Sequence, residues 1–316
     1  MDEFSFIEYL KKTIPKSGRV KVGIGDDAAV MGVGKGKKLV VSTDVIVESV
    51  DFKIKDLSPE KIGRKALAIN LSDIAAMGAS PTAFVISIGR PPYISDAWLK
   101  RFYSGLLALA GQYEVVCVGG DFSKSKEFFA SVTIFGEVLP RHIVKRSGAK
   151  PGDWVGVTGK LGGSILSHHY DFTPRVREGL FLSEKNTPTA MIDISDGLVQ
   201  DLSHILKASR VGAVLELDKI PVSNDAFRER STNVKRTCSF DLALERALTD
   251  GEDFELLFTV SPCKKMMLEK SWRRHFPKVP LSWIGKIEGK ASRISWCRNG
   301  KKVSPPNLSM KGFSHF

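Results

Sequence analysis

Between Ile62 and Met77 the chain runs through Ala66, Leu67, Ala68, Ile69, Leu71, Ile74, Ala75 and Ala76 with almost no polar face. A helix of that composition persists in water only when neighbours cover it on several sides. Its ends are marked: Ser58 as N-cap, Pro59 in the first helical position with Glu60 beside it, and Gly78 as the stop. Asn70 and Asp73 are three apart and share one side of this helix. A buried carboxylate costs several kcal/mol unless a proton, an ion pair or a metal neutralises it. Two readings of Asp73 stand, a structural partner of Arg64 or a cap, and a functional group.

Further acids stand in apolar or glycine-rich settings. Gly23-Ile24-Gly25-Asp26-Asp27-Ala28-Ala29-Val30 sets two carboxylates side by side after a strand expected over 20–24. Ser42-Thr43-Asp44 lies in a strand expected over 38–45, and Gly119-Gly120-Asp121 follows one over 115–118. Met191-Ile192-Asp193-Ile194-Ser195-Asp196-Gly197-Leu198 reads as a strand-to-helix junction with Ser195 or Asp196 as N-cap. Asp250-Gly251-Glu252-Asp253-Phe254-Glu255 precedes a strand over 256–260. Each alone can be a solvated turn. Together they point to a multi-carboxylate Mg²⁺ site for a nucleotide, because gathered carboxylates repel and hard cations take oxygen ligands.

Familiar alternatives are excluded by spacing. No Gly-Lys is followed by Ser or Thr, so the Gly-Lys loop at 31–37 reads as a hairpin connection between the strands at 20–24 and 38–45, not as a P-loop. The acidic ladder of an EF-hand is missing around Asp196. His168 and His169, expected on a helix after the loop at 159–164, have no companions at metal spacing.

The 316 residues, 42% hydrophobic, are long enough for two domains. Strands over 82–88, 128–139 and 154–158 and a helix over 95–113 complete a mixed α/β or α+β pattern. The boundary falls in Arg146-Ser147-Gly148-Ala149-Lys150-Pro151-Gly152-Asp153, which gives domains 1–147 and 148–316. Four scattered cysteines, Cys117, Cys238, Cys263 and Cys297, read as buried, inert thiols in a reducing cytoplasm. The first residues form a short amphipathic helix, not an export signal, and no apolar run is long enough for a membrane span. The net charge of +12 is concentrated late, with 13 Lys or Arg against Glu269 and Glu288 after residue 260. No nucleic-acid-binding motif accompanies it, and a solvated basic face is the reading preferred to a basic nucleic-acid binder.

In their order, Gly23 to Ala29, Ser42 to Asp44, Asn70 to Pro81, Gly119 to Asp121, Arg146 to Asp153, Asp193 to Leu198 and Gly251 to Leu257 resemble the thiamine-monophosphate kinase family of the aminoimidazole ribonucleotide synthetase and selenophosphate synthetase superfamily. The resemblance covers nearly the whole chain. It implies a two-domain α+β protein: an N-terminal mixed-sheet domain that binds ATP and Mg²⁺ and dimerises, and a C-terminal α/β sandwich domain that completes the nucleotide and substrate site. It implies a cytoplasmic homodimer that transfers the γ-phosphoryl group of ATP to thiamine monophosphate. Asp27, Ser42, Thr43, Asp44, Asp73, Asp121, Asp193 and Asp196 would hold several Mg²⁺ ions, with Asp27, Asp73, Asp121 and Asp193 central to catalysis. Gly120, Asp121, Arg146 and Ser195 would contact ATP, and Asp51, Glu252 and Phe313 would face the substrate. The chain departs from the family pattern at Asp51, where a His is usual, at Phe122-Ser123-Lys124 in place of Thr-Thr-Arg, and at Met310 in place of an aromatic. A phosphate nucleophile is already anionic, so such an enzyme needs no general base. Other activities of the superfamily, synthetases acting on an amide or a selenide, would keep the same acids, and no amino-terminal reactive Cys favours the latter.

Overall fold

The computed structural model describes residues 3–15, 18, 20–22, 30–166, 168–228, 238–289 and 293–306. Contacts divide the chain into two units, Met1–Ile74 with Ala79–Arg141, and Ala75–Gly78 with His142–Phe316.

The first unit runs α1 (Glu3–Thr13), β1 (Val20–Val22), β2 (Val30–Met31), β3 (Lys38–Val47), α2 (Pro59–Ala76), β4 (Ser80–Arg90), α3 (Asp96–Gln112), β5 (Val116–Lys124) and β6 (Phe129–Val138). Its main sheet has the order β3-β6-β4-β5, parallel only between β4 and β5. Strand alternation puts Ile46, Ala130, Val132, Ile134, Phe84, Ile86 and Ile88 on one buried face. The two long helices serve this face. They approach so closely that a Cβ on Gly63 would stand 2.0 Å from the Phe102 carbonyl oxygen, and one on Gly105 2.0 Å from that of Glu60. Only glycine permits that spacing, which explains how the nearly all-apolar α2 is covered. The Ser58 hydroxyl accepts the Lys61 N–H, and Gly78, at φ +66°, follows the helix end, both as expected.

Two expectations are corrected here. The loop at 31–37 does not close a hairpin between the strands it separates, because β1 pairs with β2 while all ten residues of β3 pair with β6. The loop is instead tied to β6, where Glu137 accepts the Gly34 N–H at 3.0 Å and the Lys37 ammonium at 3.2 Å. The strand expected to stop at 118 continues through Gly119-Gly120-Asp121 to Lys124, since β4 offers a parallel partner throughout. Gly120 makes this possible, as a Cβ there would fall 2.1 Å from the Ile86 carbonyl oxygen.

The second unit contains β7 (Trp154–Thr158), α4 (Val176–Glu184), β8 (Pro188–Asp193), α5 (Leu198–Ser209), β9 (Gly212–Glu216), α6 (Phe240–Thr249), β10 (Leu256–Val260), α7 (Pro262–His275), β11 (Leu281–Glu288), β12 (Ile294–Arg298) and β13 (Lys301–Val303). Its seven strands are ordered β13-β12-β9-β11-β7-β10-β8, with only β12 and β9 parallel. Leu198, Leu202, Ile205 and Leu206 of α5 and Leu244, Ala247 and Leu248 of α6 pack with Val155, Val157, Ile192, Leu215, Leu257 and Ile284 of the strands in one core. Among the described residues no helix starts directly after the loop at 159–164. A short 3-10 turn, Ser164–Leu166, takes its place and leaves His168 and His169 beyond it. The thiol expectation holds for Cys117, whose pKa burial pushes up to about 12, but Cys263 is exposed on α7 and Cys238 and Cys297 are half-buried.

Candidate active site

In the first unit Asp73 meets the strand beside its helix. The Ser42 hydroxyl of β3 donates to Asp73 Oδ2 of α2 in a short hydrogen bond. Asp44, two residues along β3, shares the face of Ser42. Thr43 therefore belongs to the other face, where its hydroxyl donates to the Val132 carbonyl at 3.1 Å and accepts from Thr133 at 3.0 Å. Asn70 is fully buried: its amide donates to the Ala66 carbonyl at 3.0 Å, and its Oδ1 has no hydrogen-bond partner.

Asp121 is not brought to this group. It lies on the sheet's opposite edge strand, in a row with Ser87, Ser131 and Val45, on the face away from Ser42 and Asp44. Three strand spacings, about 14 Å, separate β5 from β3. Asp51 serves a turn, its carboxylate accepting the Val47 N–H at 2.7 Å. Asp27 and Phe313 lie outside the described residues.

In the second unit two segments lock together backbone to backbone. Glu252 N–H donates to the Ser195 carbonyl at 2.7 Å, Phe254 N–H to Ile194 at 2.8 Å, and Ile194 N–H to Glu255 at 2.8 Å. A Cβ on Gly251 would sit 2.3 Å from the Ser195 carbonyl oxygen, so the approach demands glycine. Neither Ser195 nor Asp196 caps α5. Gly197, at φ +111°, is the N-cap, and the Asp201 carboxylate reaches back to the Asp196 N–H at 3.0 Å. This turn leaves the Asp196 side chain free of capping duty ahead of the helix.

The acids crowd. Asp193 is buried, and burial, followed by the Asp193 charge, pushes the Asp201 carboxyl up to about 8. Asp196, Asp201 and His204 offer ligand atoms within 4.8 Å of one another. Burial first, then the charges of Arg146 and Lys207, hold His204 below the usual imidazole range, which places the Arg146 cation near this cluster. Oxygen donors and one imidazole in a crowded, partly buried setting fit a hard divalent cation. In the first unit Ser42 and Asp73 bring two oxygen donors of the same kind into contact, with Asp44 on the same face of β3.

Several site residues escaped the sequence reading. Asp253 accepts the Gly162 N–H with both oxygens at 3.0 Å and takes the Ser164 hydroxyl in a short bond. Burial raises its pKa well above the carboxylate range. Asp250 accepts the Gly163 N–H at 3.1 Å. Glu255 accepts Thr158 at 2.6 Å and the Arg175 guanidinium at 2.7 and 2.6 Å. His169 Nδ1 stands 2.8 Å from Glu252 Oε2. The acidic run at 250–255 was their signal, but its partners are 80 to 97 residues away in sequence.

Comparison with known proteins shows the family. Residues 25–138 match the model of the AIR synthase related protein, N-terminal domain. A thiamine-monophosphate kinase of Rhodopirellula baltica is 39% identical over 299 residues, 91% of this chain and 90% of that protein. The crystal structure of thiamine-monophosphate kinase from Stenotrophomonas maltophilia K279a superposes with a TM-score of 0.79 at 30% identity, covering 95% of this chain and 96% of that one. The structure of AaThiL complexed with AMPPCP and TMP gives 0.72 at 32% identity over 99% of this chain and 97% of that one. The chain belongs to the thiamine-monophosphate kinase family.

Proposed function

We propose that the chain transfers the γ-phosphoryl group of ATP to the phosphate of thiamine monophosphate, giving thiamine diphosphate and ADP by direct in-line attack. The observation that carries this is the 2.7 Å bond from Glu252 N–H to the Ser195 carbonyl. It joins the segment assigned to the substrate to the segment assigned to the nucleotide, which supports a donor and an acceptor held by one pair of loops. Arg146, Ser195 and Gly120 are assigned to ATP, and Glu252, Asp51 and Phe313 to the thiamine side. The carboxylates and hydroxyls assigned to Mg²⁺ are Asp27, Ser42, Thr43, Asp44, Asp73 and Asp121 from 1–147, and Asp193 and Asp196 from 148–316. When bound, Mg²⁺ supplies positive charge that offsets the repulsion between two polyanions, about 4 kcal/mol per pair of unit charges at 4 Å and an effective dielectric of 20. No side chain acts as general base, since the acceptor phosphate is already an anion.

The test is incubation with Mg-ATP and thiamine phosphate. Thiamine diphosphate and ADP are expected in equal amounts, with free thiamine unchanged as control. ATP turnover without thiamine diphosphate would point to another activity of the superfamily.

We also propose a homodimer working in the cytoplasm and formed through the open face of the first unit's sheet. Leu39, Val41 and Val45 of β3 stand there 48%, 53% and 50% exposed. Covering each is worth roughly 1 kcal/mol, and a second copy of the same face is self-complementary. Light scattering should give twice 34.8 kDa, about 70 kDa, and Val41→Lys should give the single-chain mass. A monomeric parent protein would overturn the assignment.

A further inference from the structure

We infer that His169 is a positioning residue that holds the Glu252 carboxylate in place for the thiamine-bearing substrate. The inference rests on the reading of Glu252 as a substrate-side residue. Glu252 is well placed for such contact, 27% exposed at its side chain, while the His169 side chain behind it is 4% exposed. A carboxylate only accepts, so the 2.8 Å contact puts the proton on His169 Nδ1.

What distinguishes this pair from incidental packing is the ring of bonds that closes on it. Asp253 holds the Ser164 hydroxyl, the Ser164 carbonyl accepts the His169 N–H at 3.1 Å, and the His169 ring returns to Glu252, the residue before Asp253. The His169 backbone is thus anchored by the same segment whose side chain its ring restrains. Glu252 itself is held at φ +68° and Phe254 at +50°, and Phe254 stacks on Phe172 with centroids 4.3 Å apart. With the main chain fixed in this way, the freedom left to Glu252 is mainly rotation of its side chain, which the imidazole removes. Thiamine carries a permanent thiazolium cation and a pyrimidine amine, and a carboxylate locked in one rotamer meets such groups without an ordering cost at binding.

The experiment is steady-state kinetics of the full chain with His169→Ala, His169→Asn, Glu252→Gln and the His169→Ala/Glu252→Gln double variant. His169→Ala should raise KM for thiamine phosphate about tenfold, with kcat and KM for ATP within about twofold of the parent. His169→Asn, whose amide nitrogen can stand where Nδ1 does, should restore most of the loss. The double variant should be no worse than Glu252→Gln alone, because His169 acts only through that carboxylate. Additive effects, or equal shifts in KM for both substrates, would overturn the inference and leave His169 a packing residue. If Glu252→Gln itself leaves KM for thiamine phosphate unmoved, the substrate-side reading of Glu252 fails and the inference with it. Should the alanine variant not fold, His169→Asn against His169→Leu, similar in volume and differing in the donor, decides the same question.

Discussion

Asp73→Asn is expected to leave a protein that melts like its parent and transfers phosphate about a thousandfold more slowly. The reason lies in what asparagine keeps and loses. Its carbonyl oxygen still accepts the Ser42 hydroxyl, so the bond that ties β3 to α2 survives. The negative charge is gone, and with it the share of Mg²⁺ binding assigned to this residue. Thermal melting and thiamine diphosphate formation, measured on one preparation, separate the two effects. A variant that keeps full activity would remove Asp73 from the metal set, and one that unfolds would make it a structural residue. Ser42→Ala is the companion: it removes the hydroxyl that donates to Asp73 across β3 and α2, and should cost both stability and activity.

Arg175→Ala should cost on the order of 4 kcal/mol, lowering Tm by roughly 10 °C. Arg175 and Glu255 are joined by two parallel hydrogen bonds, with side chains 18% and 9% exposed. Removing the guanidinium leaves a buried carboxylate that keeps the Thr158 hydroxyl and faces the nearby Glu178, whose own carboxyl burial has already raised. The double variant Arg175→Met/Glu255→Gln removes the stranded charge along with its partner and should recover most of the loss. If the double variant melts no higher than Arg175→Ala, the shape of the Arg175 side chain matters more than its charge. Glu255 follows the Glu252 segment directly, so Arg175→Ala should also weaken thiamine phosphate binding.

The parts of this design legible in the sequence were those written in local chemistry. The helix at Pro59–Ala76 announced itself through Ser58, Pro59 and Gly78, and its apolar circumference demanded the cover that Gly63 and Gly105 allow. Asp73, three residues from Asn70 in that apolar run, had to be accounted for, and Ser42 was already a candidate beside Asp44. Partners decided by topology were not legible. Nothing near Gly119-Gly120-Asp121 says that β4 will extend the strand beneath it, or that Asp121 will stand on the edge opposite Asp44. The Gly-Lys loop looked like a hairpin because nearest neighbours usually pair, whereas β3 found a longer partner in β6. Gly197 displaced the expected caps of α5 by adopting a conformation that local preference alone does not announce. Asp253, Glu255, Arg175 and His169 become meaningful only when β7, β8 and β10 lie side by side.

The open face of the four-stranded sheet, where Leu39, Val41 and Val45 stand about half exposed, ties the behaviour of this protein in solution to its concentration. Under the proposed pairing that apolar row is hidden, and dilution along the dissociation curve bares it again. Free copies, not pairs, are then the species from which aggregates grow.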